Sequence, residues 1–195
     1  MHDVLDIRRK EYPAHDIFVK RWSPRAMSGE KIKEWELMTL FEAARWAPSS
    51  YNNQHWRFIY AVKESSQWSM FFDLLTEGNR IWAKDAAALV VMISKKSFDY
   101  NGKPALTHSF DTGAAWENLA LQGSINGLVV HGMQGFDYQK ARQKLEIPDD
   151  YQVEAMAAIE KPGKKEDLPK KLQQMEFPSK RKKISDIVFQ GRFKR

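Results

Sequence analysis

Arg21, Ser23 and Arg25 alternate along the stretch RWSPRAMS near the start of the chain. In an extended segment, alternate side chains project to the same side. Two guanidinium forks with a hydroxyl between them would then converge on one anion, and phosphate has the geometry that such forks match. The pattern Arg-x-Ser-x-Arg is common in itself, and plain surface charge is the competing reading. Further along, AARWAPSSYNNQHWRF crowds hydroxyls and amides into one segment, from Ser49 and Ser50 through Asn52 to Gln54. Two polar loops therefore flank one stretch of apolar residues.

Several other chemistries are excluded by what is missing. There is no G-x-x-x-x-G-K-[ST] and no G-x-G-x-x-G after a strand, so neither a P-loop nor a dinucleotide crossover is written here. The chain has no cysteine, which removes thiolate nucleophiles, iron–sulfur clusters and cysteine zinc sites. His2, His15, His55, His108 and His131 include no pair at the i, i+4 spacing of a metal-binding helix, and no metal is expected.

Charge is unevenly spread. Residues 161–195 carry twelve Lys and Arg against four Asp and Glu, whereas the rest carries nineteen against twenty-one. Three readings of this basic tail stand side by side: a solvated surface segment, a nucleic-acid arm, and cations that fold back to neutralise a phosphate. No aromatic face interleaves with these charges, which argues against nucleic acid. Ile184, Ile187, Val188 and Phe189 near the end favour folding back, because they gain by burial. No apolar run reaches the ~18–20 residues that span a bilayer. The charged start, MHDVLDIRRKEYP, lacks the apolar centre of a signal peptide. Cytoplasm is the default expectation.

The elements that must position these groups can be read from periodicity. From Ser28, SGEKIKEWELMTLFEAARWAP reads as a helix capped by Ser28 and stopped before Pro48, with Ile32, Trp35, Leu37, Met38, Phe41 and Ala44 on an apolar face. WRFIYAVKE reads as a strand, and SSQWSMFFDLLTEGN as a polar helix ending near Gly78. AAALVVMISKK is continuous rather than alternating, as in a buried strand. SFDTGAAWENLALQGSINGL reads as a helix ended by Gly127. LVVHGMQGF, DYQKARQKLEIP and YQVEAMAAIEKPG then read as strand, helix and strand. This interleaving predicts one α+β domain over residues 1–195, with antiparallel pairing and residues 161–195 as a basic extension that folds back or onto a partner.

Taken in order, these segments resemble the FMN-dependent nitroreductase family. RWSPRAMS is similar to the family's R-x-S-x-[KR] stretch, and ARWAPSSYNNQHWRF to its P-S-S-x-N-x-Q-P-W-x-F. Gly78–Asn79, the helix DTGAAWENLALQGSINGL, the HGMQGF loop and the basic run before ISDIV, expected to be a short terminal strand, continue the likeness over nearly the whole chain. The resemblance implies a nitroreductase-like fold with a central, mostly antiparallel sheet and an intertwined homodimer with two FMN sites at its interface. It implies that Arg21, Trp22, Ser23 and Arg25 anchor the flavin, Trp22 through its backbone or simply as core. It implies that Pro48, Ser49, Ser50 and Asn52 reach the partner's flavin, with Gln54 supporting their loop, and that Asn79 hydrogen-bonds the ring. Met133, Gln134 and Gly135 would lie against the ring, and members of the run Lys180, Arg181, Lys182 would complete the phosphate site.

The implied activity is ping-pong transfer from NADH or NADPH to a small-molecule acceptor, such as a nitroaromatic, a quinone or an activated alkene. No protein nucleophile is needed, since the cofactor carries that chemistry, and no catalytic acid or base is named. A non-catalytic flavin sensor or storage protein is the alternative. His55 stands where the family has proline, Met27 where it has an aromatic, and Tyr51 at a position often small; these departures bear on the acceptor. His55 is expected to be packed or solvent-facing rather than ligand-facing.

Overall fold

The central strand of the sheet is apolar on both sides, and the rest of the molecule is arranged to cover it. In the computed structural model, which describes residues 4–193, four strands form one antiparallel sheet. They are β1 (Trp56–Val62), β2 (Ala88–Lys95), β3 (Val129–Met133) and β4 (Tyr151–Glu160), in the order β1-β2-β4-β3. The helices are α1 (Val4–Ile7), α2 (Asp16–Lys20), α3 (Glu34–Arg45), α4 (Trp68–Phe72), α5 (Glu77–Ala83), α6 (His108–Ile125), α7 (Tyr138–Lys144) and α8 (Lys170–Gln173). His2, Lys194 and Arg195 lie outside the described residues.

The two-residue period of β2 divides the core. Ala88, Val90 and Met92 pack with Leu37 and Leu40 of α3 and Leu119 of α6, while Leu89, Val91 and Ile93 pack on the other side with Phe71, Trp82 and Ile147. A helix layer on each face explains why β2 is continuously apolar rather than alternating. The α+β, antiparallel architecture expected from the sequence is present, and α6 ends as expected, with Gly127 at φ 71° just beyond it.

Three local expectations fail. Ser28 does not cap α3, which begins at Glu34, with the Glu36 carboxylate accepting from the Lys33 N–H at 2.8 Å. Residues 27–28 are taken up elsewhere: Met27 bridges Pro162, and the Ser28 N–H donates to the Lys161 carbonyl at 3.1 Å. Gly78 does not end a helix but lies in the first turn of α5, because the chain bends after α4 to bury Leu74 and Leu75. The stretch from Ile184 is not a strand: Ile184–Asp186 forms a single 3-10 turn, Ile184, Ile187 and Val188 are exposed and Phe189 is half-buried. Among the described residues, most of the apolar surface of Ile184, Ile187 and Val188 finds no cover.

Candidate cofactor site

The cleft that contains Arg21 and Ser23 has a volume of about 530 Å³. Its floor is a patch of the sheet where Met92 of β2 pairs with Ala155 of β4 and Met133 ends β3; its roof is the first half of α6. The indole of Trp116 in that roof sits over Gly132, where any Cβ would lie 3.0 Å from Cζ2. A side chain there would press on the indole, which would have to give by a few tenths of an ångström.

Arg21 and Ser23 meet as their spacing predicts, with Nη1 of Arg21 donating to Oγ of Ser23 at 3.3 Å. Nε of Arg21 is buried and makes no hydrogen bond, although Glu117 Oε1 stands 3.5 Å away. A buried guanidinium N–H without an acceptor costs free energy until something supplies one. Arg25 does not join them. Its N–H and that of Ala26 donate to Oε1 of buried Glu176 at 2.6 and 2.9 Å, and its guanidinium lies 3.7 Å from Oε2. The alternation is interrupted at Pro24, which is buried and whose carbonyl is 2.9 Å from Nδ1 of His131. A carbonyl only accepts, so Nδ1 carries the proton. Burial is the main cause that pushes the pKa of His131 down to about 4, and Arg25 and Arg21 add to it against the Pro24 bond. His131 is therefore neutral at pH 7. Trp22 is half-buried and packs beside Pro24 and Pro162, outside this cleft.

Met133 and Gln134 line the cleft, Met133 buried and Gln134 exposed. The next residue is anchored: the Gly135 carbonyl accepts from the Thr76 N–H at 3.0 Å, Thr76 Oγ1 at 2.9 Å and Asn79 Nδ2 at 3.0 Å. The amide nitrogen of Asn79 is thus engaged in fixing the loop on which Gln134 stands.

Pro48, Ser49, Ser50 and Asn52 do not line the cleft. Their loop is pinned to the N-terminal part of α6, where the Ser50 N–H donates to Oδ2 of buried Asp111 at 3.0 Å. Gln54 supports the loop from within, its N–H donating to Ser49 Oγ at 3.0 Å and Nε2 to the Asn52 carbonyl at 3.1 Å. Tyr51, Asn52 and Gln54 all stand at φ 52°, a conformation that asparagine tolerates and tyrosine adopts at a cost. Tyr51 is 80% exposed. His55 is fully buried, with Nδ1 2.9 Å from the Lys95 carbonyl and Nε2 3.8 Å from Asp111, so it is a packed histidine.

Lys180, Arg181 and Lys182 line a different cleft, of about 800 Å³, shared with residues from α1 to α2. Within one chain the basic run and the Arg21 cleft remain separate spaces.

A sequence model described as the Nitroreductase family matches residues 18–163. The chain belongs to the Nitroreductase family. Protein DrgA of Synechocystis sp. is 31% identical over 180 residues, covering 78% of this chain and 82% of that protein. A crystal structure described as the oxidoreductase containing FMN is 45% identical and covers 96% of both chains, with a TM-score of 0.92. A nitroreductase family protein from Clostridium difficile 630 shares the fold, with a TM-score of 0.70 at 20% identity over 91% of this chain and 98% of its own.

This nitroreductase family chain is therefore an oxidoreductase of that family. Its cleft also contains groups that no motif announced. Glu154 and Ser109 line it. One oxygen of Glu154 accepts from Ser109 Oγ at 2.7 Å and from Ser94 Oγ, and Ser94 Oγ is in turn 2.7 Å from Nδ1 of His108. Glu176, which holds the backbone at Arg25, is one of four acids in a basic tail. Residues so far apart in sequence carry no shared signal; their partners alone identify them. No helix among the described residues is long and apolar enough to cross a membrane.

Proposed function

We propose that this protein is an FMN-dependent oxidoreductase that takes reducing equivalents from NADH or NADPH and passes them, in alternating turns at one site, to nitroaromatic, quinone or activated-alkene acceptors in the cytoplasm. The observation that carries the reading is the buried, unbonded Nε of Arg21, next to Ser23, at a cleft of about 530 Å³ floored by Met133 and bordered by Gln134. The donor set fits the group: a guanidinium fork and a hydroxyl suit a phosphate monoester, and Met92, Met133 and Trp116 offer apolar surface to a flat ring. The 45% identical relative contains FMN.

In this reading Arg21 and Ser23 hold the phosphate, and members of the 180–182 run complete its charge. Gln134 and Gly135 present main chain to the ring, with Thr76 and Asn79 keeping that loop in place. Arg25 is tied to Glu176 in the single chain and would have to leave that carboxylate to reach the ring's polar edge. When bound, FMN supplies the hydride-transfer chemistry, so the chain needs to bind, orient and exclude water rather than form a covalent bond. Pro48, Ser49, Ser50 and Asn52 serve the site of a second subunit. Support for a homodimer comes from the place of that loop outside its own cleft and from the exposed Ile187 and Val188 of the tail.

Visible absorption of the purified protein, with identification of the released chromophore, tests the cofactor. Bleaching by NADH or NADPH without oxygen, and recovery on adding menadione or a nitroaromatic, tests turnover against a flavin store that does neither. Arg21→Ala is expected to lower flavin occupancy; full occupancy in that variant would remove the assignment. A flavin-loaded monomer in sedimentation would contradict the shared site.

A further inference from the structure

Arg8 precedes the span that matches the family model, residues 18–163, and no motif singles it out. Its side chain is nonetheless buried, at 9% exposure. Nε donates to the Ser179 carbonyl at 2.8 Å, across 171 positions of sequence. Nη1 donates to the Arg21 carbonyl at 2.7 Å and the Val19 carbonyl at 3.0 Å. Every one of these partners is main chain. None of the ion pairs among the described residues includes Arg8.

The surroundings make this cation costly. Burial first, then the guanidiniums of Arg181 and Arg21, push the Arg8 pKa below its ordinary value. Glu117 stands 3.5 Å from Arg21, and Asp6 and Glu11 line the cleft of the basic run, but none of these carboxylates pairs with Arg8. The like charges repel one another, and an anion entering among them relieves that repulsion. Arg8 also lines the cleft that receives Lys180, Arg181 and Lys182. It is therefore the joint between the Arg21 stretch and the basic run of the tail, which occupy separate clefts. Lysine could not make this joint, because one ammonium lacks the rigid fork that reaches two segments at once.

We infer that Arg8 is a positioning residue for the phosphate end of the flavin site, clamping the Ser179 carbonyl to the backbone of Val19 and Arg21 so that the start of the 180–182 run is held beside the Arg21 stretch and a phosphate bound at their junction draws on both. The inference rests on the flavin reading above, and it makes a prediction that a merely structural arginine does not. Riboflavin lacks the phosphate that FMN carries, so the two ligands report the two ends of the site separately.

The test is fluorescence titration of the full-length, flavin-stripped protein with FMN and with riboflavin. Arg8→Met is expected to weaken FMN by roughly tenfold or more, the worth of losing a charge-assisted contact, and to leave riboflavin unchanged. Arg8→Lys keeps the buried charge without the fork and is expected to show the same selective loss, smaller in size; it serves if the methionine variant does not fold. Equal losses for both flavins, or no loss for either, in a folded variant would overturn the inference. Wild-type protein that binds neither flavin would instead end the flavin reading itself, and the Arg8 clamp with it.

Discussion

Strand β2 and the C-terminal tail are both rich in aliphatic residues, and they meet opposite fates. Leu89, Val90 and Val91 are 0% exposed, whereas Ile187 is 58% and Val188 63% exposed. The strand has a helix layer on each side and a paired strand at each edge. The tail beyond Ser179 has a few anchors, including Arg8 on the Ser179 carbonyl and Glu11, whose carboxylate accepts from the Ile184 N–H at 3.1 Å. The difference teaches that hydrophobicity specifies burial only where the same chain supplies the other wall. What the tail lacks in one copy, a second copy can provide, which is how the proposed homodimer accounts for it.

The largest effect is expected in the strand. Leu89→Ala should cost about 2–5 kcal/mol of unfolding free energy, since it removes packing from a core with no room to relax. Urea denaturation measures it, and a cost under ~1 kcal/mol would contradict the central place given to β2.

Next comes the loop between these extremes. Asp111→Ala removes the acceptor for the Ser50 N–H and for Thr107 Oγ1. A loss of about 1–3 kcal/mol is expected from the unsatisfied donors. Faster amide exchange at residues 49–54, with exchange in β2 unchanged, would show that the loop depends on this one carboxylate.

Two buried groups make the pH response of the core informative. Glu160 is fully buried, and that burial is the main cause that pushes its pKa up to about 7, the bond from the Lys161 N–H opposing it. The fold therefore favours its protonated form: the stability it contributes is complete below pH ~4.5 and is lost as pH rises through 7. His131, held down near 4, works the other way, since the fold favours the neutral ring and loses stability as pH falls from ~6.5 towards 4. Glu160→Gln should leave only the second trend, with urea midpoints rising between pH 4 and 6.5 and then flat to pH 8. A midpoint that still falls above pH 6.5 in that variant would discount Glu160 as the cause.

The smallest effect on folding belongs to the tail. Ile187→Ser with Val188→Ser should change the unfolding of dilute, single chains by no more than ~0.5 kcal/mol, as at other exposed positions. The same double variant should lower the sedimenting mass at concentrations where the wild type pairs. Unaltered mass would show that these side chains cover no partner.

Much of the fold was legible because its signals are local and repeated. The continuous run of β2, the helical spacing of α6 and the glycine after it report burial and termination within a few residues of where they act. The start of α3 was not legible, because Ser28 has an alternative partner in the Lys161 carbonyl, far along the chain. The same holds for Gly78, where the burial of Leu74 and Leu75 overrides a stop signal. In the site, the meeting of Arg21 with Ser23 follows from their alternation, but the diversion of Arg25 to Glu176 does not. Nor does the grouping of Ser94, His108, Ser109 and Glu154, which arrive from two strands and a helix.

The sequence by itself determined the antiparallel α+β core, the family and the polar stretches on which the proposed flavin site rests, because periodicity and residue type act at short range. Only the tertiary structure decided which of those polar groups meet. Arg21 is left with an unbonded N–H, Arg25 is tied to Glu176, and Arg8 joins two distant carbonyls. The physical reason is that hydrogen bonds and charge act over a few ångströms of space, and chain folding, not chain order, sets those distances.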